Sequence, residues 1–254
     1  VTMFYTLVSA LGAIVGVNSH SFSGRKFYEA ENKIEIQYYN SACISIFFIS
    51  IVFVLISVLI FGDIISNYFG LSNGQIYFAV ITSGGMFIVN FRLIQWQIRK
   101  KPKLFGYYQI SHAIINLVLT LILVIIYKYG ADGRIYAYVV SSMVFGSMGT
   151  YLLFKDNLLA NKIPQLSAIR EGLSFGLPLV FHVGGNFFIN AGDRVIINAN
   201  MSMDSVGVYY VAVQFSLIFS IICSAVNKAY MPWLFEKLNQ NEYNTKLRIV
   251  RYTY

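Results

Sequence analysis

Charged residues are scarce in this sequence of 254 residues, since Asp, Glu, Lys and Arg together make up 12% of it. A soluble globular domain usually carries about 25%. Apolar residues account for 57%, so too few charges remain to cover a folded surface in water. The composition therefore excludes an ordinary soluble domain and indicates a protein that resides in a membrane.

Cysteine, histidine and proline are also rare, with two, three and four copies. Cys43 and Cys223 both lie in apolar stretches, where a cysteine is usually a small buried hydrophobe rather than half of a disulfide or metal pair. The sequence has no zinc-ligand spacing, nucleotide-binding glycine loop, nucleophile elbow or HExxH motif. We therefore expect no catalytic residue, no metal, no cofactor and no enzymatic activity.

Long apolar runs are what the sequence has in place of charge. A helix that spans a bilayer needs about 20 mostly apolar residues, and seven stretches meet this requirement. The second of them, ACISIFFISIVFVLISVLIF, contains no charge at all. We predict an all-α, polytopic integral membrane helix bundle with about seven transmembrane helices, near residues 3–19, 41–62, 76–96, 105–127, 135–154, 172–197 and 205–227.

Basic residues are distributed unevenly between alternate connections. Of the 19 Lys and Arg residues, three follow even-numbered segments, namely Lys128, Arg134 and Arg194. Because Lys and Arg concentrate in cytoplasmic loops, we place the connections near 20–40, 97–104 and 155–171 and the C-terminal tail in the cytoplasm. Topology and contact with anionic lipid head groups then explain the net charge of +8. No nucleic-acid-reading module is visible, and we expect no nucleic-acid partner.

The ends of the sequence suggest missing helices. The first segment would run from outside to inside, yet nothing before it could carry its start across the membrane, and the chain opens with Val1. It stops at RIVRYTY, shortly after a basic tail begins. We therefore expect a fragment that lacks helices at both ends.

The sixth segment combines helix-disrupting residues with a row of polar ones. Pro178 lies among four glycines, and in membrane helices such residues often border a cavity, where water or neighbouring groups satisfy the freed backbone. At about 100° per residue, five polar side chains beyond the proline share an arc of roughly 120°. This polar row consists of His182, Asn186, Asn190, Asp193 and Arg194.

Two interpretations of Asp193 and Arg194 remain open. Charges at the bilayer centre cost about 2.5–3.5 kcal/mol on insertion scales and generally face a bundle interior or a hydrated path. The pair could instead lie at the outer interface, as an anchor for the helix and a local ion pair. The polar row that leads up to the pair favours the hydrated path, and Gln214 in the seventh segment is a candidate to face it.

Other polar residues in the apolar segments have simpler explanations. Ser216, Ser220 and Ser224 recur every four residues, and such small-residue rows favour helix packing over a substrate path. Arg92 lies near the cytoplasmic end of the third segment and is expected to snorkel to the interface. His112 and Asn116, one helical turn apart, are expected to make contacts between helices rather than to face a cavity.

Residues 172–238 carry a resemblance to a known family. The motifs are GLPL at 176–179, DR at 193–194, VGVYYVA at 206–212 and NKAYMPWLFEKL at 227–238, with ISHAIINLVLTLILV and GADGRIYA further upstream. In this order and spacing they resemble the polysaccharide repeat-unit flippases (Wzx type) of the multidrug, oligosaccharidyl-lipid and polysaccharide exporter superfamily. The resemblance extends over nearly the whole chain.

The resemblance implies a twelve-helix transporter with two lobes around a central cavity. Our seven segments would match its helices two to eight, with residues 1–160 forming most of the N-terminal lobe and 161–254 the start of the C-terminal lobe. The implied function is to flip undecaprenyl-pyrophosphate-linked oligosaccharides across the bacterial cytoplasmic (inner) membrane, for a surface polysaccharide such as O-antigen, capsule or lipopolysaccharide. Membrane lipids, a coupling ion (proton or sodium) and other polysaccharide assembly proteins are the implied partners.

The polar row acquires roles from this resemblance. Arg194 is the candidate to contact the pyrophosphate through charge-assisted hydrogen bonds, and Asn186, Asn190 and Gln214 are candidates for sugar hydroxyls. Asp193 would orient Arg194 or accept a coupling proton, and His182 titrates in a useful range if hydrated. A lipid II flippase or a cation-coupled drug exporter would share the fold. A membrane glycosyltransferase or polymerase would need a large outer loop or an acidic catalytic motif, and a purely structural scaffold would leave the polar row unexplained.

Overall fold

The computed structural model describes residues 1–160, 164–200 and 203–239. Within these ranges, side chains are not described at 2, 3, 6, 68, 69, 186–211, 213, 214, 217 and 237–239. Over the described residues the chain is helical and contains no strand. Its helices are α1 Thr2–Ile14, α2 Ser19–Glu29, α3 Lys33–Phe69, α4 Asn73–Ile98, α5 Pro102–Leu121, α6 Gly130–Lys155, α7 Leu166–Asn200 and α8 Met203–Asn239.

Five helical stretches in the described part are long and apolar enough to cross a membrane. They correspond to the second, third, fourth, fifth and seventh predicted segments, and the all-α membrane bundle is confirmed. The sixth predicted segment lies on α7, where many side chains are outside the description. The five stretches are Lys33–Asn67, Asn73–Ile98, Pro102–Ile126, Gly130–Lys155 and Ile218–Glu236.

The first predicted segment, 3–19, is not one continuous helix. α1 ends at Ile14, a short 3-10 turn covers Val15–Asn18, and α2 then begins at Ser19. Gly16, Val17 and Asn18 all have positive φ angles, of 73°, 49° and 50°. Positive φ is rare for a β-branched residue, so tertiary contacts must hold Val17 there. Counting α1 and α2 as halves of one interrupted helix, the described residues form seven helices.

Local sequence explains the ends of α3 and α4. Asn32 precedes α3, and its side chain accepts the backbone N–H of Glu35 over 2.9 Å. Gly70 ends α3 in the left-handed conformation that glycine adopts without strain. Ser72 and Gln75 then form a reciprocal capping box at the start of α4. Two membrane helices are thereby joined by a three-residue turn at 70–72.

α4 is the central helix of the N-terminal bundle, which we define as α1–α6. In the most apolar 18 residues of α4 67% are buried, whereas none are buried in the corresponding 18 residues of the α5 stretch. Phe87 of α4 stacks on Phe47 of α3 with ring centroids 4.8 Å apart. The backbones of α4 and α6 approach closely because Gly85 and Gly146 face each other. The exposed apolar faces of α3 and α5 are then available to lipid.

Side-chain contacts bring together connections that the topology prediction places on the same side of the membrane. Ser23 and Asn40 of the predicted cytoplasmic connection 20–40 bond to each other, to Leu158 of the connection 155–171, and to Gln95, which lies two residues before the connection 97–104. At the predicted outer end, Gln75 donates from Nε2 to Oδ1 of Asp132 over 2.9 Å. These contacts support the alternation of loops deduced from the basic residues.

The chain divides into two compact units, Val1–Gly184 and Gly185–Tyr254. The first contains the N-terminal bundle and the first half of α7, and the second contains the rest of α7 and α8. The lobe boundary expected at 160/161 falls on the connection between α6 and α7, where residues 161–163 are outside the description. That boundary stays a prediction.

Candidate functional site

The polar row predicted to line a cavity begins on α7. The backbone of α7 is helical from Leu166 to Asn200 with Pro178 inside it, so the four-residue spacing places His182, Asn186 and Asn190 on one helical face. The side chain of His182 is exposed. Asn186, Asn190, Asp193 and Arg194 on α7, and Gln214 on α8, have side chains outside the described residues, so their roles stay predictions.

α7 changes from packed to open along its length within the first unit. A β-carbon at Gly172 would lie 2.7 Å from Ile46 Cδ1, and one at Gly176 would overlap the carbonyl oxygen of Val17. By contrast, Phe181 and His182 are exposed, and a β-carbon at Gly184 would meet nothing within 4 Å. The predicted polar row therefore begins where α7 leaves its close packing against the N-terminal bundle.

The break between α1 and α2 is held by neighbouring helices. The N–H of Gly16 donates to Ser50 Oγ on α3 over 2.7 Å, and a β-carbon at Gly16 would overlap the ring of Phe87 on α4. This bond matters because a buried backbone N–H without an acceptor costs about 1–3 kcal/mol. Ser50 thus replaces the helical hydrogen bond that the break removes.

A buried polar cluster joins α2, α3 and α4 at the predicted cytoplasmic end. Ser23 donates to Asn40 Oδ1 over 2.5 Å, and Gln95 Nε2 donates to Ser23 Oγ over 2.7 Å. Arg99 Nη1 donates to Gln95 Oε1 over 2.5 Å. Gln95 Nε2 also donates to Asn40 Oδ1 over 3.4 Å, which closes a ring among Ser23, Asn40 and Gln95. Asn40 and Gln95 are 0% exposed, so this ring is buried.

Burial lowers the pKa of Arg99 to about 10, and the nearby charge of Arg92 acts in the same direction. Its guanidinium stays protonated at neutral pH and lies 4.9 Å from the ring centroid of Phe27. The cluster therefore contains one positive charge that is satisfied by amide and carbonyl oxygens. These bonds indicate that the cluster holds the three helices together rather than binding a substrate.

Polar side chains also hold the segment that follows α6, residues 156–160, which we call the linker segment. Gln37 donates to the carbonyl of Asn157 over 2.7 Å, and Asn40 Nδ2 donates to that of Leu158 over 2.9 Å. Ser41 Oγ accepts the N–H of Ala160 over 2.8 Å. Three side chains of α3 therefore form hydrogen bonds with the backbone of three linker residues.

Arg92 does not snorkel, and that expectation is wrong. Its side chain is 1% exposed and forms an ion pair with Asp156, the first residue of the linker segment. Its guanidinium carbon lies 4.1 Å from the ring centroid of Trp96. A partner at the end of α6 allows Arg92 to stay inside the bundle, where an unpaired charge would be strongly unfavourable.

The interhelical contact expected of Asn116 is confirmed. Ser141 Oγ on α6 donates to Asn116 Oδ1 on α5 over 3.4 Å. The ring of His112 packs on Phe145 of α6 with centroids 4.9 Å apart. Both residues of α5 therefore face α6.

Sequence reasoning did not find the buried polar cluster. Asn40 lies at the end of the predicted cytoplasmic connection 20–40, and Gln95 lies at the end of the third predicted segment. Polar residues are expected at such positions, so nothing in the local sequence indicates that these two are buried. Among the residues that the structure describes, no group of three His, Cys, Asp or Glu side chains could hold a metal ion.

Comparisons with known proteins agree with this membrane architecture. A family model described as "Polysaccharide biosynthesis protein" matches residues 3–238. An uncharacterized membrane protein of Haemophilus influenzae is 32% identical over 154 residues, which are 59% of this chain and 38% of that protein. Protein 1 of the Lsg locus of the same organism is 29% identical over 171 residues, which are 66% of this chain and 42% of that protein.

Solved structures show the same fold. The MATE transporter VcmN of Vibrio cholerae in its bent form matches with a TM-score of 0.72 at 12% identity, over 98% of this chain and 58% of that one. A single-residue mutant of the same transporter matches with a TM-score of 0.72 at 13% identity, over 98% and 59%. The chain thus spans less than two thirds of the length of these relatives.

Proposed function

Because the chain belongs to the polysaccharide biosynthesis protein family, we propose that it is part of a transporter that flips lipid-linked oligosaccharide repeat units across the bacterial cytoplasmic membrane. One observation carries the proposal: the family match over residues 3–238 coincides with the fold of a MATE transporter. The fold supports an exporter, and the family supports a substrate in polysaccharide biosynthesis.

The proposed substrate is an oligosaccharide joined to undecaprenyl pyrophosphate. Its sugar and pyrophosphate must cross an apolar region, which requires a hydrated path with polar contacts, while its lipid tail can stay in the bilayer. The polar row on α7 offers such contacts. Arg194 would bind the pyrophosphate by charge-assisted hydrogen bonds, Asn186, Asn190 and Gln214 would bind sugar hydroxyls, and Asp193 would orient Arg194.

Flipping of this substrate needs no covalent chemistry. It requires a path that opens to one side of the membrane at a time and a source of free energy, which we assign to a coupling proton or sodium ion. Either Asp193 or His182 would serve as the proton acceptor. Other polysaccharide assembly proteins would supply the substrate and receive it.

The likeness to a MATE transporter favours one alternative, an exporter of the same superfamily with another substrate. A drug exporter would more often present isolated acids in an apolar cavity, whereas this chain has 19 basic and 11 acidic residues. A lipid II flippase would share the requirement for pyrophosphate binding. Substrate, rather than fold, distinguishes these alternatives.

Complementation tests the proposal. The complete gene that encodes this sequence would be expressed in a strain that lacks its repeat-unit flippase, together with Arg194→Ala and Asp193→Asn variants at matched membrane levels. Ser216→Ala serves as a control because that serine is exposed on α8 and lies outside the polar row. We expect wild type and the control to restore surface polysaccharide and Arg194→Ala to lose it.

Other outcomes separate the parts of the proposal. If every variant complements equally, Asp193 and Arg194 are an interfacial anchor and the flippase function stands. If wild type fails, flipping of several lipid-linked oligosaccharides is measured in liposomes, because repeat-unit specificity alone can prevent complementation. Failure to move any of them would overturn the proposal in favour of another exporter.

A further inference from the structure

A cavity of about 80 Å³ lies between α3 and α4 at the predicted outer end of the bundle. Gly62 and Asp63 of α3 line it, together with Asn73 and Tyr77 of α4. A β-carbon at Gly62 would meet nothing within 4 Å, so the glycine leaves open the space that a side chain would otherwise take. None of these residues belongs to the polar row or to the buried polar cluster, and the cavity is therefore distinct from both.

The side chain of Asp63 brings a negative charge to this cavity. Its Oδ1 accepts a hydrogen bond from Asn73 Nδ2 over 3.5 Å, and the residue is exposed. Asp63 forms no ion pair with any residue whose side chain the structure describes. Because a carboxylate has about four lone-pair positions, most of them are available to a donor from outside the protein.

The other walls of the cavity favour an organic cation over a metal ion. Val58 and Ile76 line it and are buried and apolar, and Tyr77 offers an aromatic ring, which attracts ammonium groups. A calcium ion would need about six oxygen ligands, whereas the lining residues supply one carboxylate. A primary ammonium, by contrast, is satisfied by a carboxylate, a neighbouring oxygen and an aromatic face.

The size of the cavity restricts the cation to a small one. A protein cavity of about 150 Å³ holds a benzene ring, so one of about half that volume has room for about three non-hydrogen atoms. The nitrogen and two carbons of an ethanolamine group meet this limit. The trimethylammonium group of choline and a whole sugar ring both exceed it. The volume therefore favours a primary amine.

An exposed apolar row on α3 leads to Asp63. Val52, Ile56 and Leu59 precede it at intervals of three and four residues, so they share its face of the helix. Their exposed fractions are 52%, 50% and 70%. From Val52 to Asp63 the helix rises roughly 16 Å, about half of the hydrocarbon thickness of about 30 Å. The row therefore has the length of one leaflet, and a charge stands at its head-group end.

We propose that the cavity and this row together bind a phospholipid whose head group carries a primary ammonium, such as phosphatidylethanolamine. Asp63 accepts the ammonium N–H groups, Tyr77 covers the ammonium, and an acyl chain packs along Val52, Ile56 and Leu59. A lipid bound in this way joins the outer ends of α3 and α4. The site takes its ligand from the surrounding bilayer, so it operates whatever the transported substrate is.

Lipid competition on the protein encoded by the complete gene tests this site. The purified protein in detergent micelles is supplied with equal amounts of phosphatidylethanolamine and phosphatidylcholine that have identical acyl chains. Native mass spectrometry then measures the ratio of the two complexes that carry one lipid. The two lipids have the same net charge and differ only in the methyl groups on nitrogen. We expect phosphatidylethanolamine to be preferred about tenfold by wild type, because a hydrogen bond to a charged group contributes about that factor to affinity.

Three variants locate the preference. Asp63→Asn removes the charge with little change in shape, and Gly62→Leu fills the cavity while the carboxylate is kept. Asp132→Asn is the control, because Asp132 is another carboxylate at the same end of the bundle and is bonded to Gln75. We expect Asp63→Asn and Gly62→Leu to abolish the preference and Asp132→Asn to retain it.

Four outcomes would overturn the proposal. Wild type could bind the two lipids equally, or its preference could survive both Asp63→Asn and Gly62→Leu. An equal loss in Asp63→Asn and Asp132→Asn would show a general attraction to outer carboxylates. A loss in Asp63→Asn alone would show that the carboxylate acts at an open interface without the cavity.

Thermal unfolding supplies a second measurement and identifies any variant that does not fold. A ligand that binds only the folded state raises the unfolding midpoint. Phosphatidylethanolamine should therefore raise the wild-type midpoint more than phosphatidylcholine does. In Asp63→Asn, which should unfold at the wild-type temperature in lipid-free detergent because the residue is exposed, the two lipids should have equal effects. A difference between the lipids that persists in this variant would contradict the assigned role of Asp63.

Discussion

The backbone N–H of Gly16 donates a hydrogen bond to Ser50 Oγ over 2.7 Å, and this bond joins the break between α1 and α2 to the middle of α3. Removing the acceptor should leave a buried N–H unsatisfied. We predict that Ser50→Ala lowers the free energy of unfolding by about 1–3 kcal/mol, measured by reversible denaturation in detergent. Ser57→Ala is the control, because Ser57 lies on the exposed part of the same helix and bonds only to Phe53 O. An equal effect of the two substitutions would contradict the assigned role of Ser50.

Asn40 and Gln95 are predicted to be energetically coupled. Each single substitution to Ala leaves polar partners without a bond inside the bundle, at a cost of about 1–3 kcal/mol. The double variant leaves fewer orphaned groups than the two singles together, so the effects should be less than additive by about 0.5–3 kcal/mol. A double-mutant cycle of unfolding free energies measures this coupling, and strict additivity would show that the two amides act independently.

The two partners of the Arg92–Asp156 ion pair should differ in how much stability is lost when each is replaced. Asp156→Asn leaves the guanidinium buried with a weaker partner and should destabilise the protein by about 1.5–3 kcal/mol. Arg92→Met leaves a carboxylate that is already 40% exposed and can be hydrated, so we expect a smaller loss. Combining the two substitutions should recover part of the Asp156→Asn loss. The order of the three midpoints in thermal unfolding checks this prediction.

Two glycines of α7 should respond oppositely to alanine. At Gly176 the added β-carbon would overlap Val17 O, and overpacking of this kind typically costs about 1–3 kcal/mol. At Gly184 the β-carbon has open space, and alanine is favoured over glycine in a helix by about 1 kcal/mol. We predict lower stability for Gly176→Ala and unchanged or higher stability for Gly184→Ala. If both variants unfold at the wild-type temperature, the close contact at Gly176 is absent.

The ion pairs of Lys26 should stabilise the fold over a wide pH range. Burial acts to lower the pKa of Lys26, but hydrogen bonds with Glu171 and Glu29 exceed this effect and raise its pKa above the usual 10.5. Burial acts to raise the pKa of Glu29, but its bonds with Lys26 and Arg25 lower it below the usual 4.5. The stabilisation is therefore present between these values, and it is lost as pH falls through the lowered pKa of Glu29 or rises through the raised pKa of Lys26.

Thermal unfolding of wild type and Lys26→Met across pH checks this expectation. The difference between their midpoints should stay constant from about pH 6 to 9 and shrink below the ordinary pKa of a glutamate. Arg134→Met, a substitution at the opposite end of the bundle, controls for the general loss of positive charge. A difference that varies between pH 6 and 9 would mean that another titrating group dominates.

The helices that were predictable from the sequence are those with long uncharged runs. The apolar part of α3 has no charge for 20 residues, and the apolar stretches of α4, α5 and α6 are separated by short connections at 99–101 and 127–129. A single dominant physical requirement, apolar length, identifies each of them. The polar row on α7 was deduced from polar residues that recur at helical spacing, and its role stays a prediction because most of its side chains lie outside the described residues.

The break at Val15–Asn18 and the buried polar cluster were not predictable in this way. The sequence VGVN contains one glycine and two β-branched residues, and its positive φ angles depend on Ser50, Phe87 and Gly176 from three other helices. Arg92 was expected to reach water because its partner, Asp156, lies 64 residues later in the chain. Both features are produced by tertiary neighbours that a local pattern does not specify.

The length of α3 has a consequence for the bilayer itself. With 37 residues and a rise of about 1.5 Å per residue, α3 is about 55 Å long, whereas the hydrocarbon layer is about 30 Å thick. A helix of this length must tilt strongly or project into the head groups, and its polar first turns, Lys33–Asn40, favour projection. Gln37, Asn40 and Ser41, which hold the linker segment, lie at the base of that projection. Hydrophobic mismatch in a thicker membrane would draw them toward the acyl chains, so lipid composition should alter how firmly α3 holds the linker segment.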